Sequence, residues 1–387
     1  MVEGRKDGAP RRIRLGMVGG GEGAFIGAVH RMAARLDGHW DLVAGAFQSD
    51  PAKSVAFGRS LGIEDSRAYP DFRTMATREA GRQDRIDAVA IVTPNAAHHP
   101  AARAFLDAGI AVICDKPMTI SREEADDLAQ AVSRTGLPFI LTHNYSGYPM
   151  IRQARAMVEA GELGAIRIVQ AEYAQDWLAT ELPGNKQADW RGDPARAGPG
   201  GALGDIATHA FQLAEFVTGL KAQSLAADLS SFVAGRKVDD NVNVLLRLGD
   251  ARGMLWASQV ATGSVNGLKL RVFGDKGGVE WAQETPETLL FTPLGGQQRI
   301  IRRGGAGVSA SATHATRVPG GHPEGYLEGF AQIYSDAAEL VRAYQEKRAP
   351  QTFAKLAPGV EDGVRGVQFI TAAIASSRNN GAWIALD

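Results

Sequence analysis

The first 145 residues alternate between short apolar runs and amphipathic stretches, and this alternation constrains the fold more than any other feature of the chain. The apolar runs are typical of buried parallel strands and lie at 13–19, 41–47, 86–92, 112–116 and 138–141. Helices are predicted at 25–36, 51–61, 71–80, 98–108 and 121–134, with a short extended piece at 67–69. This βαβ pattern predicts a doubly wound parallel sheet.

From about residue 150 the pattern changes, which predicts a second domain of the α+β class. A helix at 150–160 precedes extended, partly alternating segments at 165–176, 222–234, 240–248, 252–261 and 267–273, as expected of a mostly antiparallel sheet. A Gly/Ala/Ser-rich loop at 304–312 is expected to be mobile, and a last helix near 361–378 is expected to pack back on the first domain. The predicted division is a disordered tail (1–12), an α/β domain (13–145) and an α+β domain (146–387).

The composition argues against several classes of function. A net charge of −1 over 387 residues offers no field that attracts nucleic acid or an anionic membrane. No apolar run approaches the roughly 18 residues of a membrane span. The single cysteine, Cys114, excludes an internal disulfide and fits a cytoplasmic protein. No cluster of ligands has zinc-like spacing, since His98 and His99 form an isolated pair, so no metal site is predicted.

The segment GGGEGAFIG follows the first apolar run directly and begins the next helix. This is the context that a dinucleotide-binding loop requires, because glycines admit a pyrophosphate and the helix N-terminus offers free N–H groups. Gly19, Gly21 and Ala24 fit the pattern G-x-G-x-x-[GA], and Phe25 and Ile26 complete the candidate cofactor loop. The alternative is a tight strand–helix turn that binds nothing.

The acidic ribose ligand expected about 20 residues further on has no clear counterpart. The second apolar run ends in neutral residues, and Asp50 is placed to cap the next helix. Gln48, Ser49 and Lys53 are the candidate cofactor residues here. No arginine stands at the strand tip to attract a 2′-phosphate, so NAD is favoured; NADP stays open, and Lys53 could reverse the preference.

Two charges, Asp115 and Lys116, end the fourth apolar run. Pro117 cannot donate to a strand ladder and disfavours helical geometry in the residue before it. Lys116 is therefore predicted to be extended at the carboxyl end of a parallel strand, the edge where such sheets bind ligands. The alternative is a solvated loop lysine.

The segment GGALGDIATHAFQLAEFVTG, residues 200–219, predicts a helix that ends at Gly219. Asp205 and His209 stand four residues apart, so on a helix they share one face near its start. Histidine is the natural group to accept a hydroxyl proton near neutral pH. The alternative is a helix-capping aspartate followed by a surface histidine.

Taken together, these motifs resemble the Gfo/Idh/MocA family (glucose–fructose oxidoreductase, inositol dehydrogenase and rhizopine-catabolism proteins) over almost the full chain. The resemblance is carried by the glycine loop with His30, Thr93–Pro94–Asn95 with His98, Asp115–Lys116–Pro117, and Asp205 with His209. The family's usual E-K-P is D-K-P here, and Gly27 takes the place of the last glycine before His30, about three residues later than usual. The resemblance implies an α/β Rossmann domain and a C-terminal α+β domain with a large, mostly antiparallel open sheet.

The resemblance also implies roles for single residues. Lys116 would lie beside the nicotinamide and the reacting hydroxyl, His209 would be the general acid/base, and Asp205 would hydrogen-bond with them. Further residues expected to line the cofactor are Thr93, Pro94, Asn95, His98 and Asp115. Candidate contacts to a polyhydroxylated substrate are Asn144, Tyr145, Trp190, Arg191 and His322, for each of which a structural role is equally open.

The sequence thus predicts a cytoplasmic, NAD(P)-dependent dehydrogenase that oxidises a secondary hydroxyl of a sugar or cyclitol, with inositol first, to the ketone or lactone. Pairing across the C-terminal sheet into a dimer or a homotetramer is expected from the resemblance. Two alternatives stay open: a glycoside hydrolase that uses tightly held NAD for transient oxidation, and a non-enzymatic dinucleotide-sensing regulator. The presence of Lys116, Asp205 and His209 argues against the regulator, which needs no proton acceptor.

Overall fold

Two β-sheets organise the protein, whose computed structural model describes residues 11–386. The strands of the first sheet are β1 (Ile13–Gly19), β2 (Trp40–Ala46), β3 (Ala88–Val92), β4 (Ala111–Cys114) and β5 (Phe139–Leu141). The helices between them are α1 (Phe25–Leu36), α2 (Pro51–Ser60), α3 (Phe72–Ala80), α4 (His98–Asp107) and α5 (Arg122–Thr135). The sheet is parallel throughout, in the order β2–β1–β3–β4–β5, which confirms the predicted Rossmann fold.

Strand β4 ends two residues earlier than predicted, and the reason is local. Asp115 still donates its N–H to the carbonyl of Ile91 at 3.0 Å, as a strand residue would. The N–H of Lys116 instead donates to Oδ1 of the preceding residue, Asp115, at 2.9 Å, so it makes no hydrogen bond to a neighbouring strand. The extended piece predicted at 67–69 is likewise only partly present: Asp65–Arg67 form a 3₁₀ turn, and Ala68 makes a single bridge to Gly45.

The second sheet has nine strands and is mostly antiparallel, as predicted. Its strands are β6 (Ile166–Ala174), β7 (Ser224–Ser230), β8 (Asn241–Leu248), β9 (Ala251–Ser258), β10 (Gly267–Gly274), β11 (Gly277–Ala282), β12 (Thr288–Pro293), β13 (Arg299–Arg302) and β14 (Ile384–Ala385). The order is β13–β12–β11–β10–β6–β9–β8–β7–β14, and only the β6–β9 pair is parallel. Strands β11 to β14 were not predicted, because their hydrophobic patterns are short and separated by glycine and turn residues.

Helices cover one face of this second sheet. Those in the second half of the chain are α6 (Pro149–Glu159), α7 (Lys186–Arg191), α8 (Pro194–Ala197), α9 (Thr208–Thr218), α10 (Ala310–His314), α11 (Tyr326–Gln345) and α12 (Val360–Arg378). Helices α6, α9 and α12 pack on the sheet around Met150, Phe211 and Phe369. The opposite face carries the exposed residues of the alternating strands.

Helix α11, which the sequence analysis did not predict, packs against the parallel sheet of the first half. Phe330 and Tyr334 share one core with Val29 of α1 and Trp40 of β2. The hydroxyl of Tyr334 lies 2.7 Å from Nδ1 of His30, and its carbonyl accepts from the Trp40 indole at 3.0 Å. Helix α12 contacts both α5 and β7. Helices α11 and α12 of the second half therefore both pack against helices of the first half.

The segment at 304–312, expected to be a mobile loop, is partly ordered by hydrogen bonds. Ser309 caps α10 through a bond from the N–H of Ala312 and donates its own N–H to Gln153 Oε1 at 2.6 Å. Ser311 and Ala312 are buried. Small residues here allow close packing of α10 on α6.

The predicted disordered tail falls largely on residues 1–10, which lie outside the described part of the chain. Its last two residues lie within the described part of the chain and make ion pairs. Arg11 pairs with Asp87 at 2.9 Å, and Arg12 pairs with Asp41 at 3.0 Å.

Candidate active site

Lys116 and Asp205 form an ion pair where the two halves of the chain meet. Lys116 Nζ lies 3.1 Å from Asp205 Oδ1 and also donates to the main-chain carbonyl of Asp205. Both side chains are largely shielded, with 13% and 17% of their surfaces exposed. Lys116 is therefore fixed by a specific partner and is not a solvated loop lysine.

The carboxylate of Asp205 has two further partners. Its Oδ2 accepts from Arg191 Nε at 3.0 Å and from Gln259 Nε2 at 2.8 Å. Burial alone would raise the pKa of Asp205, but the charges of Arg191 and Lys116 outweigh it and hold the pKa well below its usual value. Asp205 is thus ionised at neutral pH, and it is bonded to side chains instead of capping the helix.

Asp205 lies in a π-helical turn, Leu203–Ala207, that leads directly into α9. The preceding chain is anchored by Asp239, whose carboxylate accepts from the N–H groups of Gly201 and Leu203 at 2.8 and 2.7 Å. Such turns are common at functional sites because they change which side chains share a helix face. Here the turn brings Asp205 to Lys116 while His209 follows in the first turn of α9.

His209 is buried in a cluster of rings at the same place. Its Nδ1 lies 3.4 Å from Nδ1 of His143, which follows β5, and its ring packs edge-on against Tyr145 with the centroids 5.0 Å apart. Burial, and then the charge of Lys116, hold the pKa of His209 well below its usual 6.5. The same two causes lower the pKa of His143 to about 3. Both imidazoles are neutral at pH 7, the state in which a histidine can accept a proton.

A chain of hydrogen bonds runs from Tyr145 away from His209. The hydroxyl groups of Tyr145 and Tyr173 are 2.5 Å apart, and Tyr173 donates to Asn266 Oδ1 at 2.8 Å. Gln175 donates to the same amide oxygen at 2.8 Å. Burial raises the pKa of Tyr145 and of Tyr173, so both hydroxyls keep their protons at neutral pH. The chain therefore fixes the ring of Tyr145 beside His209.

Arg191 is held between aromatic rings. Its guanidinium lies 4.4 Å from the ring centroid of Trp190 and 5.7 Å from that of Trp177. These contacts direct its Nε to Asp205. The structure thus brings the predicted residue Arg191 into the site as a partner of the carboxylate, with Trp190 as its support.

The glycine loop between β1 and α1 has the shape that a dinucleotide requires. Gly19 and Gly20 have φ of +83° and +69°, which favour glycine. A Cβ on Gly27 would lie 2.3 Å from Cα of Gly20, so the helix packs on the loop at this pair. Gly27, not Ala24, is therefore the close-packing glycine of the motif; Ala24 is the N-cap of α1, and Phe25 and Ile26 form its first turn.

The tip of β2 lies beside this loop. A Cβ on Gly21 would lie 2.5 Å from Cγ of Gln48, so the Gln48 side chain faces the loop. Ser49 and Lys53 are exposed. Asp50 accepts from the N–H of Lys53 at 3.0 Å and caps α2, as predicted, which ties up the nearest carboxylate.

The segment after β3 forms the wall of the candidate cofactor site that lies opposite the tip of β2. Asn95 donates to the carbonyl of Ala197 at 2.8 Å, which joins this wall to α8. His98 is fully buried, with its two ring nitrogens 2.9 Å and 2.8 Å from the carbonyls of Thr93 and Pro117. Its ring nitrogens are thus occupied, and it ties the Thr93–Pro94 loop to the Lys116–Pro117 turn.

Two buried polar groups at these strand ends lack a hydrogen-bond partner among residues 11–386: Oγ1 of Thr93 and Nδ2 of Asn144. An unpaired buried polar atom costs free energy unless a ligand pairs with it. Together with the glycine loop, these two atoms could form hydrogen bonds with a dinucleotide and a hydroxylated substrate. His322 differs: it is exposed, its ring lies 3.2 Å from the carbonyl of Pro319, and its own carbonyl accepts from Arg303. Within the described chain, no hydrogen bond joins His322 to Lys116, Asp205 or His209.

Comparisons with known proteins identify this arrangement. Residues 13–143 match the profile of the Gfo/Idh/MocA oxidoreductase family with its NAD-binding Rossmann fold, and residues 151–280 match the profile of the GFO/IDH/MocA C-terminal domain. The chain belongs to this family.

Three known proteins resemble the chain over nearly its full length. An oxidoreductase from Sinorhizobium meliloti is 51% identical, with a TM-score of 0.87 and coverage of 97% of this chain and 100% of the other. A structure of an inositol dehydrogenase homolog from Azotobacter vinelandii, complexed with NADH and myo-inositol, is 34% identical, with a TM-score of 0.89 and coverage of 97% and 98%. Levoglucosan dehydrogenase from Pseudarthrobacter phenanthrenivorans is 26% identical over 97% of this chain and 98% of its own.

Membership in the Gfo/Idh/MocA family makes the chain an NAD-binding oxidoreductase that acts on CH–OH groups. Within residues 11–386, no helix is long and apolar enough to cross a membrane. The same residues contain no group of three or more histidine, cysteine or acidic side chains placed to hold a metal ion. Cys114 is buried, and burial raises the pKa of its thiol well above the usual value, so it is inert packing.

Several residues around Asp205 and His209 were not predicted from the sequence. His143 could have been found, because it directly follows the last parallel strand, at the same sheet edge as Lys116. Tyr173, Gln259 and Asn266 had no such sign. They lie at or beyond the ends of β6 and β9 and before β10, and only the pairing of those strands brings them to the site.

Proposed function

We propose that the protein is an NAD-dependent dehydrogenase that oxidises a secondary hydroxyl of a cyclitol or sugar to the ketone or lactone. The observation that carries this proposal is the placement of a neutral imidazole, His209, beside the charged Lys116–Asp205 pair at the carboxyl edge of the parallel sheet. A proton acceptor and a cation next to the cofactor cleft are what alcohol oxidation needs.

Bound NAD would supply the hydride acceptor for the carbinol carbon. His209 would accept the hydroxyl proton, since its lowered pKa keeps it unprotonated. Lys116 would donate a hydrogen bond to the carbinol oxygen and stabilise the negative charge that develops there. Asp205 would hold the ammonium of Lys116 in place while Arg191 and Gln259 hold the carboxylate.

The cleft also suits a polyhydroxylated ring. The buried amide nitrogen of Asn144 has no hydrogen-bond partner among residues 11–386, so it can donate to a hydroxyl of the substrate. Tyr145 and the Trp190–Arg191 pair offer flat and polar surfaces beside His209 and Asp205. His322 is not part of this set because its contacts are with Arg303 and Pro319.

Inositol is the first substrate to test, and anhydrosugars such as levoglucosan are the second, because similar proteins carry or are named for these compounds. Purified protein should be screened against a panel of cyclitols, aldoses and levoglucosan, with NAD and with NADP, by the absorbance of the reduced cofactor. Turnover of one of these rings with net NADH formation supports the proposal. Sugar release from a glycoside without net NADH would favour a hydrolase and contradict it.

We also propose NAD as the preferred cofactor over NADP. Gln48 faces the glycine loop, and the strand tip offers no arginine for a 2′-phosphate. Lys53 is exposed and supplies the nearest positive charge on α2. A kcat/KM at least tenfold higher with NADP would overturn this preference.

We further propose that the protein is a cytoplasmic homo-oligomer, a dimer or tetramer paired through the nine-stranded sheet. Four apolar residues lie on the sheet face that the helices leave uncovered, and each is between 39% and 54% exposed: Ile168, Leu245, Met254 and Phe273. Apolar side chains gathered on one flat face favour burial against a second copy. On this proposal residues 13–145 hold the cofactor, and 146–387 serve the substrate and the interface.

A further inference from the structure

A cationic side chain from the second half of the chain lies on the glycine loop. Lys186 is the first residue of α7, and its Nζ donates to the main-chain carbonyl of Glu22 at 3.0 Å. A Cβ on the next loop residue, Gly23, would stand 4.0 Å from the same nitrogen. Lys186, Glu22 and Gly23 are exposed, so the ammonium lies over the open side of the loop.

The backbone of the loop below Lys186 favours binding of an anion, whereas the carboxylate of Glu22 in this loop disfavours it. Helix α1 has no acidic residue in its first turn, and its N-cap has no side-chain hydrogen bond, so the amides there stay free for phosphate oxygens. Glu22 adds an exposed carboxylate to the loop. A dinucleotide brings two negative charges to this position in a Rossmann fold, and a cation beside Glu22 offsets the repulsion.

Two cations bond to the backbone of this loop within the described residues, and they do so from different sides. Arg31 belongs to α1 itself, donates to the carbonyl of Gly20 at 2.8 Å and packs over the ring of Phe57 at 5.4 Å. It therefore supports the loop from the helix side. Lys186 reaches the loop from the substrate side, and the Glu22 carbonyl uses only one of its three N–H donors.

We propose that Lys186 is a cofactor-binding residue that pairs with the diphosphate of the bound dinucleotide. The proposal rests on the use of NAD and not on the identity of the polyol. Arg191, at the other end of α7, bonds to Asp205 at 3.0 Å. Helix α7 thus contacts the cofactor loop with its first residue and the active-site carboxylate with its last.

The test is equilibrium binding of ADP-ribose and NAD to the wild type and to variants of the whole protein. Lys186→Gln should weaken the binding of both ligands by roughly tenfold, the scale of one charge-assisted hydrogen bond. Lys186→Arg should restore most of the affinity because it keeps the charge. The matched control is Lys276→Gln, which removes another exposed lysine, between β10 and β11, and should leave both affinities unchanged.

The affinity of adenosine, measured by competition, shows whether Lys186→Gln removes a contact to phosphate or alters the whole cofactor site. Adenosine lacks the diphosphate, so its affinity should be equal in Lys186→Gln and in the wild type, and the salt dependence of ADP-ribose binding should be smaller in the variant. Wild-type ADP-ribose affinity in Lys186→Gln, or an equal loss for adenosine, would overturn the proposal. No polyol enters these measurements, so a failure of the proposed substrate would not be mistaken for a failure of this contact.

Discussion

Lys116 Nζ lies 3.1 Å from Asp205 Oδ1, although the two residues are 89 positions apart in the sequence. The contact joins the carboxyl edge of the parallel sheet to the π-helical turn before α9. It means that neither half of the chain forms the site alone.

Replacing Lys116 with alanine should lower kcat for oxidation by about a hundredfold or more, roughly 3 kcal/mol, because a donor to the developing alkoxide is lost. Lys116→Arg should rescue little, since the planar guanidinium cannot take the place of a compact ammonium against Asp205. Turnover is measured with a substrate that the wild type oxidises, and Tm serves as the control for folding. Full turnover by Lys116→Ala would contradict the assigned role.

His209→Ala should lower kcat by a hundredfold or more while NAD affinity stays near that of the wild type. Because the pKa of His209 is held well below 6.5, the base stays unprotonated through neutral pH. The kcat of the wild type should therefore fall only on the acid side of pH 6.5, where His209 takes up a proton. An acid limb centred above pH 7, or an alanine variant with normal kcat, would contradict this role.

Asp205→Asn removes the charge that balances Lys116 and Arg191, and we expect kcat to fall about tenfold as Lys116 loses a charge-assisted bond. The charge of Asp205 raises the pKa of His209, so the acid limb of the kcat profile should also move to lower pH. Asp189→Asn, which neutralises an exposed carboxylate in α7, is the matched control. A limb that stays in place or moves to higher pH would contradict the coupling.

Buried histidines should make the fold sensitive to acid. Burial lowers the pKa of His30 to about 4 and that of His143 to about 3, against 6.5 when exposed. Their contribution to stability is fully present above pH 6.5 and is lost as pH falls toward the folded-state values, because the unfolded chain binds these protons first. Each should reduce the free energy of unfolding by about 2 kcal/mol between pH 7 and pH 5.

Urea unfolding of the wild type and of His30→Gln at pH 7, 6 and 5 measures this effect. The variant should show a smaller loss of stability with acid than the wild type, whatever its stability at pH 7. His322→Gln, which removes an exposed histidine, is the control and should match the wild type. Equal pH dependence in His30→Gln and the wild type would contradict the prediction.

Met254→Asp should dissociate the proposed oligomer without unfolding the protein. Met254 is 46% exposed and lies opposite Leu245 on the uncovered sheet face, so a carboxylate there meets solvent in the monomer but an apolar surface in an assembly. Molar mass from light scattering measures the change, and Tm reports folding. Glu361→Lys, a charge reversal at an exposed residue in the first turn of α12, is the control and should leave the molar mass unchanged. A monomeric wild type would contradict the assembly.

The Rossmann half could be predicted almost completely from the sequence because its signals are local. Buried parallel strands are near-continuous apolar runs, and Ser121 marked the start of α5, where it indeed accepts from the N–H of Glu124 at 3.3 Å. The second half was harder. Helix α11 buries residues against the parallel sheet of the first half, a contact that no local pattern announces.

The sequence by itself determined the residue types of the site and their order: the glycine loop, the lysine after a buried strand, and the Asp/His pair at the start of a helix. Only the tertiary structure decided how they are used. In the folded chain Gly27 is the glycine that packs against the loop, and both ring nitrogens of His98 lie near carbonyls. His143 and Gln259 contact His209 and Asp205, whereas His322 is exposed. Motifs are set by spacing along the chain, whereas these contacts depend on strand pairing and helix packing between segments far apart in sequence.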